Sequence, residues 1–197
     1  MSLTAPKLRL NNVFKQLMSM HWWMAICYLL LFPSGIIMAK LEGEFSYREL
    51  LFAAHKSFGV LVLLLLGWRI YLLARVWGRK YSKHLPKLTG NWYFKTGLHT
   101  LIYLTMFVVP LSGYWLSNAY HANNISLFGI PMPDIFPVSS DAAAQANVAH
   151  GTTSKVLAIF ILIHSIAQWK VIKANWRRLS VWTLTKLKGK KNFTDTE

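Results

Sequence analysis

The sequence predicts an all-α membrane protein: a four-helix transmembrane bundle with both termini in the cytoplasm. Three observations carry this. Over 197 residues the hydrophobic fraction is 54% and the mean hydropathy +0.32, too apolar for an ordinary soluble domain. Four apolar runs, each long enough to cross about 30 Å of hydrocarbon, are separated by shorter polar connections. The basic residues alternate between those connections, and that alternation sets orientation.

Residues 1–16 read as a short leader with Lys7, Arg9 and Lys15. The first span, residues 17–39, is long for a signal-peptide core and is one of four similar spans, so it is expected to stay uncleaved. The second span covers residues 50–77, the third 93–117 and the fourth 148–171. Together residues 1–171 form one transmembrane domain. Residues 172–197 are a basic cytoplasmic tail, in which Trp176, Leu179, Trp182 and Leu187 recur at near-helical spacing, as in a helix lying on the inner surface. Cys27 is the only cysteine, which excludes internal disulfides, thiolate clusters and covalent haem attachment through a C-x-x-C-H motif.

Charge gives the topology. The leader holds three Lys/Arg, the second connection six between Arg75 and Lys95, and the tail from Lys170 eight. The first connection is mixed, with Lys40, Glu42, Glu44, Arg48 and Glu49. The third, residues 118–147, has no Lys or Arg and carries Asp134 and Asp141. Short basic connections stay in the cytoplasm. The net charge of +15 is therefore topogenic and drawn to anionic lipid; it does not signal nucleic acid. In the third connection the stretch 127–137 is too apolar for a free loop and is expected to fold down as a cap over the outer end.

Histidines mark depth within the spans. His150 and His164 lie fourteen residues apart in the fourth span, about 21 Å of rise and about 40° of rotation in an α-helix. The same interval separates His21 from Gly35, His55 from Arg69 and His99 from Gly113. With the helices laid antiparallel, an inner layer contains His21, Arg69, His99 and His164. An outer layer contains Gly35, His55, Gly113 and His150. His84 and His121 fall in connections and are read as solvent-facing.

Two imidazoles from different helices at one depth suit the axial ligands of a flat haem disc. Glycines at that depth let a porphyrin approach the backbone, and an arginine offers a forked donor to a propionate. Gly35 and Gly113 fit the outer disc, Arg69 an inner propionate. All seven acidic residues lie in connections, at helix edges or in the tail, where intramembrane carboxylates would mark a cation transporter. A zinc or copper site would need more converging ligands than two histidines per layer. In the outer layer His55 and His150 are the only histidines; in the inner layer His21 and His99 are both placed to partner His164, and helix packing is the plain alternative role for His99.

At this point the chain resembles the bacterial cytochrome b561 family, related to the cytochrome b subunits of nickel–iron hydrogenases, over residues 15–170. The resemblance rests on Met20-His21-Trp22-Trp23, on His55-Lys-Ser-Phe-Gly59 with Arg69, on Pro110-Leu-Ser-Gly-Tyr114, on Phe128-Gly-Ile-Pro-Met-Pro133 and on the pair His150 and His164. It implies two stacked, non-covalent haem b groups (protohaem IX), the outer held by His55 and His150 and the inner by His21 and His164, with Gly59 in a cofactor-binding motif. It also implies electron transfer across the prokaryotic plasma membrane between an outer donor, such as superoxide or a partner redox protein, and the quinone pool. Two other classes are a haem-bearing anchor subunit of a dehydrogenase or hydrogenase, and a non-haem transporter or structural membrane protein. Past His164, where family members often carry a further histidine and an acidic residue toward the quinone-facing end, this chain reads Ser165-Ile-Ala-Gln-Trp-Lys.

Overall fold

A computed structural model describes residues 5–40, 47–81 and 88–177, with side chains for 13–40, 47–78 and 88–177. Among these residues the chain is all-helical apart from one small hairpin. In order come α1 (Ala5–Lys40), α2 (Arg48–Tyr81), α3 (Gly90–Tyr120), β1 (Ser126–Leu127), β2 (Ile130–Pro131) and α4 (Ser140–Ala167). It forms two compact units, Met1–Ala158 and Ile159–Glu197.

Each helix contains an apolar segment long enough to cross a bilayer: Val13–Lys40, Arg48–Gly78, Gly90–Tyr120 and Ser140–Ala167. This chain is a multi-pass membrane protein. Helix is the form these runs must take, because backbone donors and acceptors find no water in hydrocarbon and have to pair within the segment. The side chains agree with lipid as the solvent: Leu29 on α1, Leu64 on α2 and Leu104 on α3 are 72%, 54% and 58% exposed. Burial is reserved for a thin seam where helices meet, including Met24 and Cys27 of α1, Val62 and Leu66 of α2, and Met106 and Val109 of α3. Within the first unit α2 is central, packing against α1 on one side and α3 on the other.

Helix ends are set by local chemistry. Thr89 caps α3, accepting from the Trp92 amide at 3.2 Å. The fourth helix begins eight residues before the span read from hydropathy, at Ser140 in place of residue 148. Ser139 supplies the reason: its Oγ accepts from the Ala142 amide (3.3 Å) and its carbonyl from the Ala143 amide (2.9 Å). The alanine-rich run that follows propagates helix readily despite its polar members. The outer connection thus shrinks to residues 121–139. At the other end α4 closes at Ala167, a turn occupies Gln168, and residues 169–177 are helical again. The tail pattern at Leu179, Trp182 and Leu187, like His84, Lys83 and Lys87, lies outside the described residues.

The outer connection folds down onto α2 and α3. Phe128 and Gly129, both at positive φ (50° and 94°), make the two-residue turn between β1 and β2. Leu127, Met132 and Phe136 pack on Val60, Tyr114 and Ile125. Fully buried Asn118 holds the loop by polar contacts: it donates to Asp134 (2.6 Å) and accepts from the amides of Ile135 (3.1 Å) and Phe136 (3.4 Å). Tyr114 donates to the Pro133 carbonyl, and Ser57 of α2 donates to the Ser126 carbonyl (2.9 Å).

Candidate functional site

The four residues of the outer layer come together. His55 on α2 and His150 on α4 present their rings to each other with centroids 6.4 Å apart and planes at 88°. Two imidazoles bound through Nε2 to opposite faces of one metal, each about 2 Å from it, have centroids separated by about 6 Å. The observed spacing is close to that value. Among the described residues no three His, Cys, Asp or Glu side chains gather round one point; a porphyrin would supply the other four ligands from its own ring.

Each histidine is seated against a glycine on the neighbouring helix. A Cβ on Gly35 of α1 would lie 3.4 Å from Cε1 of His55. One on Gly113 of α3 would lie 3.0 Å from Cε1 and 3.2 Å from Nδ1 of His150. Helix-to-histidine approach is closer at Gly113, and the missing side chain matters more there. Gly59, by contrast, faces open space, with nothing within 4 Å of an added Cβ, and lines the adjoining cavity.

That cavity, about 690 Å³, adjoins both histidines and is bounded by Phe52, Gly59, Leu63 and Gly113 among others. Its volume falls within the range of small-molecule and cofactor sites. Arg48, Lys56, His121, Asn124 and Asn147 also line it. Lys56 donates to the Asn124 carbonyl at 3.1 Å, and the Arg48 guanidinium lies 5.6 Å from the Phe52 ring centroid. His121, read from sequence as merely solvent-facing, is the C-cap residue of α3 and belongs to this lining.

Sequence reasoning passed over the residues that hold the rings. Ser34 Oγ stands 2.8 Å from Nδ1 of His55, and Ser112 Oγ 3.2 Å from Nδ1 of His150. The His150 Nδ1 is also 3.0 Å from the Val109 carbonyl. Both serines directly precede the glycines already singled out, so the pair Ser-Gly on α1 and on α3 was the signal available.

The inner-layer residues of the first unit are placed as follows. Arg69 of α2 donates from Nε to the Tyr103 hydroxyl of α3 (2.7 Å) and from a terminal nitrogen to the Leu17 carbonyl of α1 (2.9 Å). It thereby joins three helices one turn from His21. His21 is half-buried and meets Trp22 edge-on at 5.9 Å. His99 is exposed on α3, its Nδ1 2.6 Å from the Lys95 carbonyl of its own helix. His164 belongs to the second unit, half-buried within the last turns of α4.

Compared with known proteins, residues 15–181 match the profile of a family described as prokaryotic cytochrome b561. No curated protein matches the chain.

Proposed function

The chain belongs to the prokaryotic cytochrome b561 family, a family of haem b-binding membrane electron carriers, and on that premise we propose that it carries two haems and conducts electrons from one membrane face to the other. The observation that carries the reading is the pair His55 and His150, 6.4 Å apart on separate helices and each backed by a glycine. In this reading the two imidazoles hold the outer haem through Nε2, Gly35 and Gly113 give it room, and Gly59 lines its cavity. Arg48 and Lys56 offer cations to its propionates. His21 and His164 hold the inner haem, as the family resemblance implies, with Arg69 beside it. His99 then serves as a neighbour to that site.

The bound haem would supply a one-electron couple between ferric and ferrous iron. The protein's part is to hold two such groups at different depths, keep them six-coordinate and set their potentials. Both termini face the cytoplasm, following the basic leader, second connection and tail. Electrons pass between an outer donor, superoxide or a partner redox protein, and quinone near the inner face.

A visible spectrum of the purified protein, dithionite-reduced minus oxidised, tests the reading, together with a pyridine haemochrome assay against protein mass. Two low-spin haems per chain are expected. A ratio near one, or a high-spin ferric signal, would remove the two-haem assignment.

A further inference from the structure

The outer histidines are served by the same device twice. On α1 the order Pro33-Ser34-Gly35 presents a glycine to the ring of His55 and a hydroxyl to its Nδ1. On α3 the order Pro110-Leu-Ser112-Gly113 does the same for His150. In each case a proline breaks the helical hydrogen-bond ladder shortly before, and a serine bonds back within its own helix. Ser34 donates its proton to the Leu31 carbonyl (3.0 Å), and Ser112 donates to the Val109 carbonyl (2.8 Å). Each hydroxyl proton being spent on a carbonyl, the lone pairs of each Oγ are left to face the imidazole. With the hydroxyls turned that way the histidine is the donor, its proton on Nδ1 and Nε2 bare; at His150 the Val109 carbonyl, which can only accept, requires the same.

We infer that Ser34 and Ser112 are positioning residues which fix the axial tautomer of His55 and His150 and tune the reduction potential of the outer haem. The inference rests on the outer haem lying between those two histidines. An imidazole whose Nδ1–H is donated to a fixed acceptor is oriented, holds the tautomer that ligates through Nε2, and becomes a more basic ligand. A more basic ligand favours ferric iron, so loss of the acceptor raises the potential.

The two positions are unequal. Nδ1 of His150 has a second acceptor, the Val109 carbonyl at 3.0 Å, which remains when Ser112 is replaced. Among the hydrogen bonds of the described residues, Nδ1 of His55 has Ser34 at 2.8 Å as its partner. The larger effect therefore belongs to Ser34.

The test is redox potentiometry of the purified holoprotein with haem titration of the apoprotein, for wild type, Ser34→Ala, Ser34→Thr, Ser112→Ala and His55→Ala. Ser34→Ala should raise one of the haem potentials, by up to about a tenfold change in ferrous-over-ferric preference, or about 59 mV. It should also weaken haem uptake at that site by about tenfold. Ser112→Ala should move both quantities the same way by less, and Ser34→Thr, which keeps the hydroxyl, should restore them. Unchanged potentials and uptake in both alanine variants, with one haem lost in His55→Ala, would overturn the serine assignment and leave the haem site standing. Haem loss in Ser34→Ala that Ser34→Thr does not restore would also count against it. Full haem content in His55→Ala would overturn the haem site, and the serine role with it.

Discussion

His55 and His150 face each other at 6.4 Å between ring centroids, from helices separated by the whole of α3 in sequence. Nothing in the composition of either helix demands that meeting. A pair of imidazoles gains little from contact alone, and each ring is seated against a glycine of a neighbouring helix. That relationship generates predictions about the site, its spectroscopy and the framework that holds it.

The first concerns ligand identity. His55→Ala and His150→Ala should each remove the same haem and leave difference spectra that superimpose. His164→Ala should remove the other haem, matched by His21→Ala and not by His99→Ala. If His99→Ala matches His164→Ala while His21→Ala keeps both haems, the inner assignment passes to His99. Each variant should first be shown to remain monodisperse in detergent, since collapse of the helices would remove both haems together.

Electron paramagnetic resonance of the ferric protein should read the 88° angle between the rings. If both rings bind one iron through Nε2 along a common line, the angle between their planes becomes the twist about that line. Perpendicular imidazoles would then leave the iron's two π-type d orbitals nearly degenerate and give one large, isolated g value. A rhombic signal of the parallel-plane kind from both haems would contradict the ring geometry.

Glycine replacements should rank by space. Gly113→Ala places a methyl 3.0 Å from the His150 ring and should displace it, weakening outer haem binding by about tenfold. Gly35→Ala meets the His55 ring at an ordinary 3.4 Å and should be milder. A Cβ at Gly59 meets nothing within 4 Å, so Gly59→Leu should project into the cavity and block haem loading there. Apoprotein titration with haem measures all three; equal affinity for Gly113→Ala and Gly35→Ala would refute the ranking.

Arg69 should act on both stability and potential. Arg69→Leu removes bonds to the Tyr103 hydroxyl and the Leu17 carbonyl, each a charge-assisted bond worth about 1.5–3 kcal/mol. It should therefore lower thermal stability and, by removing a cation one helical turn from His21, lower the potential of the haem proposed there. Arg69→Lys keeps the charge and loses the fork, so the potential should be largely retained while stability falls. A stable Arg69→Leu protein with both potentials unchanged would place the arginine's influence elsewhere.

Anchoring of the outer loop depends on Asn118, which accepts two loop amides and donates to Asp134. Asn118→Ala should free residues 133–136, seen as faster amide hydrogen exchange there, with the exchange of mid-span α2 unchanged. Protection equal to wild type in the loop would show that Leu127, Met132 and Phe136 suffice to hold it.

Much of this protein is determined by its sequence alone, because the governing physics is local. Apolar runs in lipid must close their own hydrogen bonds, so four helices follow from hydropathy. Fixed rise and rotation per residue convert the fourteen-residue intervals at His21, His55, His99 and His150 into shared depths. That arithmetic puts Gly35, His55, Gly113 and His150 in one layer, and the structure brings them together. What only the tertiary structure decided is rotation about each helix axis and the partners met across it. Ser34 and Ser112 look like ordinary small helix residues until the neighbouring Nδ1 atoms lie 2.8 and 3.2 Å away. Arg69 read as a propionate partner, yet two of its donors first tie Leu17 to Tyr103. The start of α4 likewise depended on a serine cap that hydropathy does not register. Depth is a property of one helix; a hydrogen bond between helices depends on how two of them turn toward each other, and no single segment encodes that.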